Sequence, residues 1–131
     1  MAGILPYEVA ATNVMFGHSV FMAQGSVLCA FVTLTSNIVI DRHFHANIYS
    51  YVAYDCIIGD FATFAQTVKC NGNVIIEDYA YIGTGAILKQ RRPAKLLRIG
   101  ARAVIGMGAV VTKDGPAGIT VVGDPARLLV L

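Results

Sequence analysis

The chain has 131 residues, of which 56% are hydrophobic and only 14% charged, and it carries a formal net charge of +2. That length suits one domain, and so little charge points to apolar surface buried against further copies of the same chain. The three cysteines, Cys29, Cys56 and Cys70, have no paired spacing and no CxxC or HExxH is present, which argues against a disulfide framework or a local metal motif and fits a reducing cytoplasm.

The first stretch, Val9 to Ile40, has no charged residue. Asn13, Gly17, His18, Gln24, Gly25, Ser26, Ser36 and Asn37 interrupt it, so no window of about 18–20 residues is continuously apolar and no membrane span is expected. The N-terminus has no basic segment before an apolar run, so no signal peptide is expected.

A six-residue period takes over instead. From Phe16 it runs through Met22, Leu28, Leu34, Ile40, Ala46, Val52, Ile58, Phe64, Cys70, Ile76 and Ile82 to Leu88. The residues two before these, from Val14 through Ser26, Ile38, Ser50, Ala62 and Val74 to Ala86, are mostly small or β-branched, with Phe44 the large exception. Neither a helix nor simple alternation gives this pattern. An inward aliphatic with a small inward partner every six residues predicts an all-β chain, a parallel β-helix with triangular coils of three hexads. Residues 18 apart then stack about 4.8 Å above one another.

The rhythm breaks after Leu88 at KQRRPAKLLR and resumes at Ile99-Gly100, so residues 89–98 are expected to leave the solenoid as one extruded loop, a place where function concentrates. After Val111 the period fades, and 113–131 reads as a turn and a short closing segment. The expected organisation is one β-helix domain over 1–131 with its solenoid at about 10–112. Charge is uneven along it. Residues 1–88 hold two basic and six acidic side chains, net −4, and residues 89–131 hold eight basic and two acidic, net +6. A positive end attracts phosphorylated ligands. The basic residues lack interleaved aromatics, so nucleic acid is not expected.

The segments HFHANIYSYVAYDCIIGDF, CNGNVIIEDYAYIGTGAIL, IGARAVIGMGAVVTKD and VVGDPAR together resemble the hexapeptide-repeat acyltransferases, in particular the bacterial nucleotide-sugar N-acetyltransferases and sialic-acid O-acetyltransferase-like proteins. The resemblance covers roughly residues 10–128. It implies left-handed coils, against the usual right-handed crossover rule. It also implies a homotrimer with active sites between subunits, acetyl-CoA as co-substrate, a sugar-like acceptor acetylated on an amine or hydroxyl, and no metal. Members of this branch usually begin with a small nucleotide-binding domain. This chain starts almost directly at the solenoid, as an excised domain, a stand-alone relative or a recombined gene would.

The family's general base is a histidine in the setting V-x-His-[Asp/Glu]-C-x-I-G. Here Val52-Ala53-Tyr54-Asp55-Cys56-Ile57-Ile58-Gly59 matches except at Tyr54. A histidine titrates near neutrality and suits proton abstraction; a tyrosine, with a reference pKa of about 10, is a poor base but a hydrogen-bond donor. Gly72, in CNGN, stands where relatives offer a backbone N–H to the thioester oxygen. His45 shares a column with Thr63, where relatives often carry a second histidine. Either His45 acts as the base across a cleft, or His43 and His45 are surface or interface residues tied to Asp41 or Asp55. Asp55 reads equally as an orienting carboxylate and as a corner charge. Cys56 and Cys70 fall on packing positions. For the coenzyme the resemblance points to Gly83, Thr84, Gly85, Met107 and Gly108 beside pantetheine, with Lys113, Gly123, Asp124, Pro125 and Arg127 at the phosphates and adenine. Arg91, Arg92, Lys95 and Arg98 are a second set for phosphates.

Three functions follow: an acetyl-CoA-dependent acetyltransferase, a non-catalytic relative that keeps the coenzyme cleft or serves in assembly, and a zinc hydratase built on the same solenoid. The last needs three convergent histidines, and His18, His43 and His45 do not share a column.

Overall fold

The computed structural model describes residues 8–130. Its strands are two or three residues long, and among the described residues there is no helix. Three faces emerge. The first stacks Val9–Ala10, Val27–Leu28, His45–Ala46, Thr63–Phe64, Tyr81–Ile82, Val104–Ile105 and Thr120–Val122. The second stacks Met15–Phe16, Thr33–Leu34, Tyr51–Val52, Lys69–Cys70, Ile87–Leu88 and Val110–Val111; the third stacks Val20–Met22, Ile38–Ile40, Cys56–Ile58, Val74–Ile76 and Leu97–Ile99. All these pairings are parallel, with partners such as Ile40 and Ile58, or Thr63 and Tyr81, 18 residues apart. The chain is a three-sided β-helix, as the hexad period requires.

Both inward columns of the sequence form the core. From Leu28 to Val111 the aliphatic column is at most 2% exposed, and Phe44 and Phe64 meet edge-to-face with centroids 5.0 Å apart. The small partners matter because the three larger inward side chains of each coil already crowd its narrow axis. Ser50 fits there with its hydroxyl donating to Ala65 O at 2.8 Å and accepting from Val68 N–H at 3.1 Å, so its burial leaves no unmet polar group.

Two boundaries differ from expectation. The step between stacked residues rises to 23 at Ile76↔Ile99, Ile82↔Ile105 and Leu88↔Val111. Leu97, however, is buried and pairs with Val74. It fills the inward position two before Ile99, so the excursion ends at Leu96 rather than at 98. At the other end the rhythm is lost but the coil is not. Ile105 pairs in parallel with Val121, and Ile99 bridges Gly115, both 16 residues apart. This last coil is two residues short. The chain then reverses through Gly123–Ala126, with a cis Asp124–Pro125 bond, into the antiparallel strand Arg127–Leu128.

At most corners a residue takes positive φ, and eleven such residues among those described are not glycine. Such a backbone is uncommon for a residue with a side chain. Stacking between coils offsets it. Between the third and first faces, His43 stacks on Phe61 (4.6 Å), Phe61 on Tyr79 (5.1 Å), and the Arg102 guanidinium covers Tyr79 at 4.4 Å. We call this edge the Tyr79 corner. Below it, a Cβ at Gly25 would lie 2.2 Å from His43 Nδ1, so glycine makes room for the ring. Beside the rings, Asp60 accepts from the Arg42 guanidinium and backbone N–H, which holds its carboxyl below the usual range.

Candidate active site

The edge between the second and third faces is the Tyr54 corner. Two residues past the inward Val52, Cys70, Leu88 and Val111 stand Tyr54, Gly72, Gln90 and Lys113 in one column. Tyr54 is 45% exposed, and its ring packs against Gly72: a Cβ there would sit 2.2 Å from the ring. Gly72 O accepts from Arg91 N–H at 3.0 Å, while Gly72 N–H has no acceptor among the described residues. The corner thus brings a phenol and a free backbone donor together. Asp55 follows at φ 56° and accepts from Asn37 Nδ2; above it Asn73 Nδ2 donates to Arg91 O at 3.0 Å. Asn37, Asp55 and Asn73 open onto a groove of about 410 Å3, closed on the far side by Pro93 and Leu96 of the loop.

His45 is elsewhere. It faces outward on the first face between Val27 and Thr63, with Nε2 3.8 Å from Cys29 Sγ. In a three-sided prism that face is opposite the Tyr54 corner, so one copy does not bring the two together. His43 is in the Tyr79 corner stack and His18 lies two coils below Gly72's neighbour Tyr54 in its own column. Among the described residues no three of His, Cys, Asp and Glu converge on a common point.

The edge between the first and second faces changes character along its length. Its positive-φ position is Phe31, Tyr49 and Thr67 in the lower coils, then Gly85 and Gly108. Phe31 and Tyr49 stack at 4.9 Å, whereas a Cβ at Gly108 would meet nothing within 4 Å. Gly83 is tight instead, since its Cβ would lie 2.6 Å from Met107 N. Thr84 donates to Gln66 Oε1 at 3.0 Å and Met107 is 81% exposed. The Gly123–Ala126 turn docks on this same Gly85 corner, where Val110 N–H donates to Gly123 O and Ala126 N–H to Val110 O, each at 2.9 Å. The bulk of the lower corner therefore ends in a bare ledge walled by Met107 and roofed by the turn that carries Pro125 and leads into Arg127.

The GDP-perosamine N-acetyltransferase of Escherichia coli O157:H7 is 56% identical over 126 residues, which cover 95% of this chain and 57% of that protein. The structure of WeeI from Acinetobacter baumannii AYE matches with a TM-score of 0.91 and 62% identity, over 92% of this chain and 57% of that one. The acetyltransferase domain of PglB from Neisseria gonorrhoeae FA1090 matches with a TM-score of 0.89 at 28% identity, over 97% and 60%. The chain has the left-handed β-helix fold of the hexapeptide-repeat acyltransferases and resembles these relatives over nearly its whole length. It spans about 57% of the length of the first two relatives. No family profile matches it.

Within this hexapeptide-repeat solenoid the expected site residues divide between edges. Tyr54, Asp55, Gly72 and Lys113 share one corner; Gly83, Thr84, Gly85, Met107, Gly108, Pro125 and Arg127 share another; His45 lies on neither. Arg98 is drawn off by Glu77 at 2.6 Å. The 18-residue spacing puts Tyr54 and Gly72 in one column; what it does not give is that the Tyr54 ring rests on Gly72. Cys56 and Cys70 are core residues with sulfurs 4.0 Å apart, and the hydrogen bond to Cys56 and complete burial hold the Cys70 thiol well above its ordinary value. Gly72→Ala is expected to push the Tyr54 ring off the corner while the coils stay paired. Tyrosine ring resonances would shift and the amide pattern elsewhere would not; unchanged ring shifts would refute the contact.

Proposed function

We propose that this solenoid transfers the acetyl group of acetyl-CoA to an amine of a sugar nucleotide. The observation that carries this reading is the bare ledge at Gly85 and Gly108, where lower coils place Phe31 and Tyr49. It gives an extended, slim ligand a path along the solenoid with close backbone approach. The likeness to GDP-perosamine N-acetyltransferase supports the acceptor class.

In this reading pantetheine runs past Gly83, Thr84, Gly85, Met107 and Gly108, and Pro125 and Arg127 frame the nucleotide end. The acceptor nitrogen attacks the thioester carbonyl. A C–N bond forms, the C–S bond breaks, and coenzyme A leaves as the thiol carrying the proton the amine gives up. Gly72 N–H receives the oxygen as charge develops on it, the role of an oxyanion donor. Tyr54 directs a phenol at the same centre and Asp55 orients the amine.

The two corners lie on different edges of one copy, so in this reading the site forms between copies of a homotrimer. The apolar outward column Phe21, Val39, Ile57 and Ile75 on the third face supports self-association. There Lys113 of one copy joins the ledge of the next, and His45 reaches a cleft. Free thiols and acetyl-CoA use fit the cytoplasm; no helix among the described residues is long and apolar enough to cross a membrane. A second reading, a relative that binds the coenzyme without turnover, is favoured by the Tyr54 ring lying over Gly72.

Calorimetric titration with acetyl-CoA tests the first step. Saturable micromolar binding at one site per subunit is expected. No binding at millimolar concentration overturns both readings.

A further inference from the structure

The excursion after Leu88 is a built feature rather than a slack loop. Lys95 N–H donates to Arg92 O at 2.9 Å, closing a tight turn over Pro93 and Ala94. Its base is clamped twice. Arg91 N–H donates to Gly72 O, and the Arg91 guanidinium donates to Thr112 O at 2.9 Å. Between clamp and turn, Lys89, Gln90, Arg91, Arg92 and Lys95 line a recess of about 420 Å3.

This recess holds four cationic residues and no anionic one. The ion pairs among the described residues are Arg42 with Asp60 and Arg98 with Glu77, so Lys89, Arg91, Arg92 and Lys95 have no carboxylate within 4.0 Å. The nearby Asp114 is engaged by Arg98 N–H. Four like charges around a concavity repel one another and gain from a multivalent anion. Guanidinium forks suit its paired oxygens.

We infer that this recess is a binding site for the diphosphate of a nucleotide. The inference rests on the acetyltransferase reading only for the choice between two sources of that group, the nucleoside diphosphate of the acceptor and the diphosphate of coenzyme A. Position favours the acceptor. Gln90 stands two coils above Tyr54 in the same column, about 10 Å along the axis at the usual strand spacing, roughly a sugar ring and a phosphoryl group away. The Gly85 ledge lies across the whole second face.

The test is calorimetry on the protein without acetyl-CoA, using inorganic pyrophosphate, GDP and coenzyme A as separate probes, against Arg92→Gln/Lys95→Gln. Pyrophosphate is expected to bind the parent protein and to lose about tenfold or more in the variant, as removal of charge-assisted contacts requires, and to weaken steeply with added salt. A parallel loss for GDP names the acceptor as the source; a parallel loss for coenzyme A names the coenzyme. If the double variant melts early, Lys95→Gln alone, at an exposed position, gives the same readout. Equal affinity of parent and variant for all three probes overturns the inference, as does no binding of any to the parent at millimolar concentration. Because acetyl transfer is not measured, failure of the acetyltransferase reading leaves this result readable.

Discussion

Tyr54→His is expected to raise kcat for acetyl transfer by about 100-fold or more, the usual worth of a positioned general base. In the proposed reading the setting for a base is already there: Gly72 N–H is free beside that residue, Asp55 follows it, and the ledge proposed for the coenzyme is bare. A histidine ring is smaller than the phenol and also fits over Gly72, so the exchange costs little packing. Tyr54→Phe separates two roles for the native side chain. If the phenol takes part, Tyr54→Phe loses activity; if it is passive, Tyr54→Phe matches the parent and only histidine gains. A Tyr54→His variant no faster than the parent would sink the view that a missing base limits turnover. Loss of turnover in His45→Gln would then mark His45 as the proton acceptor.

The largest effect on stability is expected at Phe64. It is fully buried and packs edge-to-face on Phe44, in an inward column where the coil below contributes only Ala46. Phe64→Ala would set two alanines in adjacent coils and leave a void between them. The expected cost is about 3–5 kcal/mol, read from denaturant unfolding at fixed protein concentration because self-association shifts the midpoint. Phe64→Leu should cost much less. A Phe64→Ala protein within about 1 kcal/mol of the parent, far below the usual penalty, would mean that the coils collapse onto the gap.

The regular part of this fold is legible because inward side chains recur in fixed register. The column placing His45 beside Thr63 and Tyr54 one coil below Gly72 follows from counting, and the strands pair that way. Leu97 was hidden because it sits in a basic run, KLLR, whose charges mask a core position. The last coil was hidden because it lacks two residues, and a shortened coil shifts every later count. What side chains do at the corners was not legible at all. Nothing in VAYDCIIG says that the Tyr54 ring lies down on the next coil, and nothing in KQRRPAK says that Arg91 clamps the loop to Gly72 and Thr112. Both depend on rotamers and on contacts between residues about 18–21 apart. The division of the residues expected at the coenzyme and at the base between two edges also needed the three faces in hand.

The five extra residues between Leu88 and Leu97 leave the pairing above and below them unchanged: Ile76 still meets Ile99, and Leu88 still meets Val111. Corner length is therefore a free variable of this architecture. A cationic excursion can be shortened, exchanged or reversed in charge without repacking an inward side chain. Ligand preference at this edge can then diverge between relatives by local insertion and deletion, while the core below stays under a separate and stricter selection.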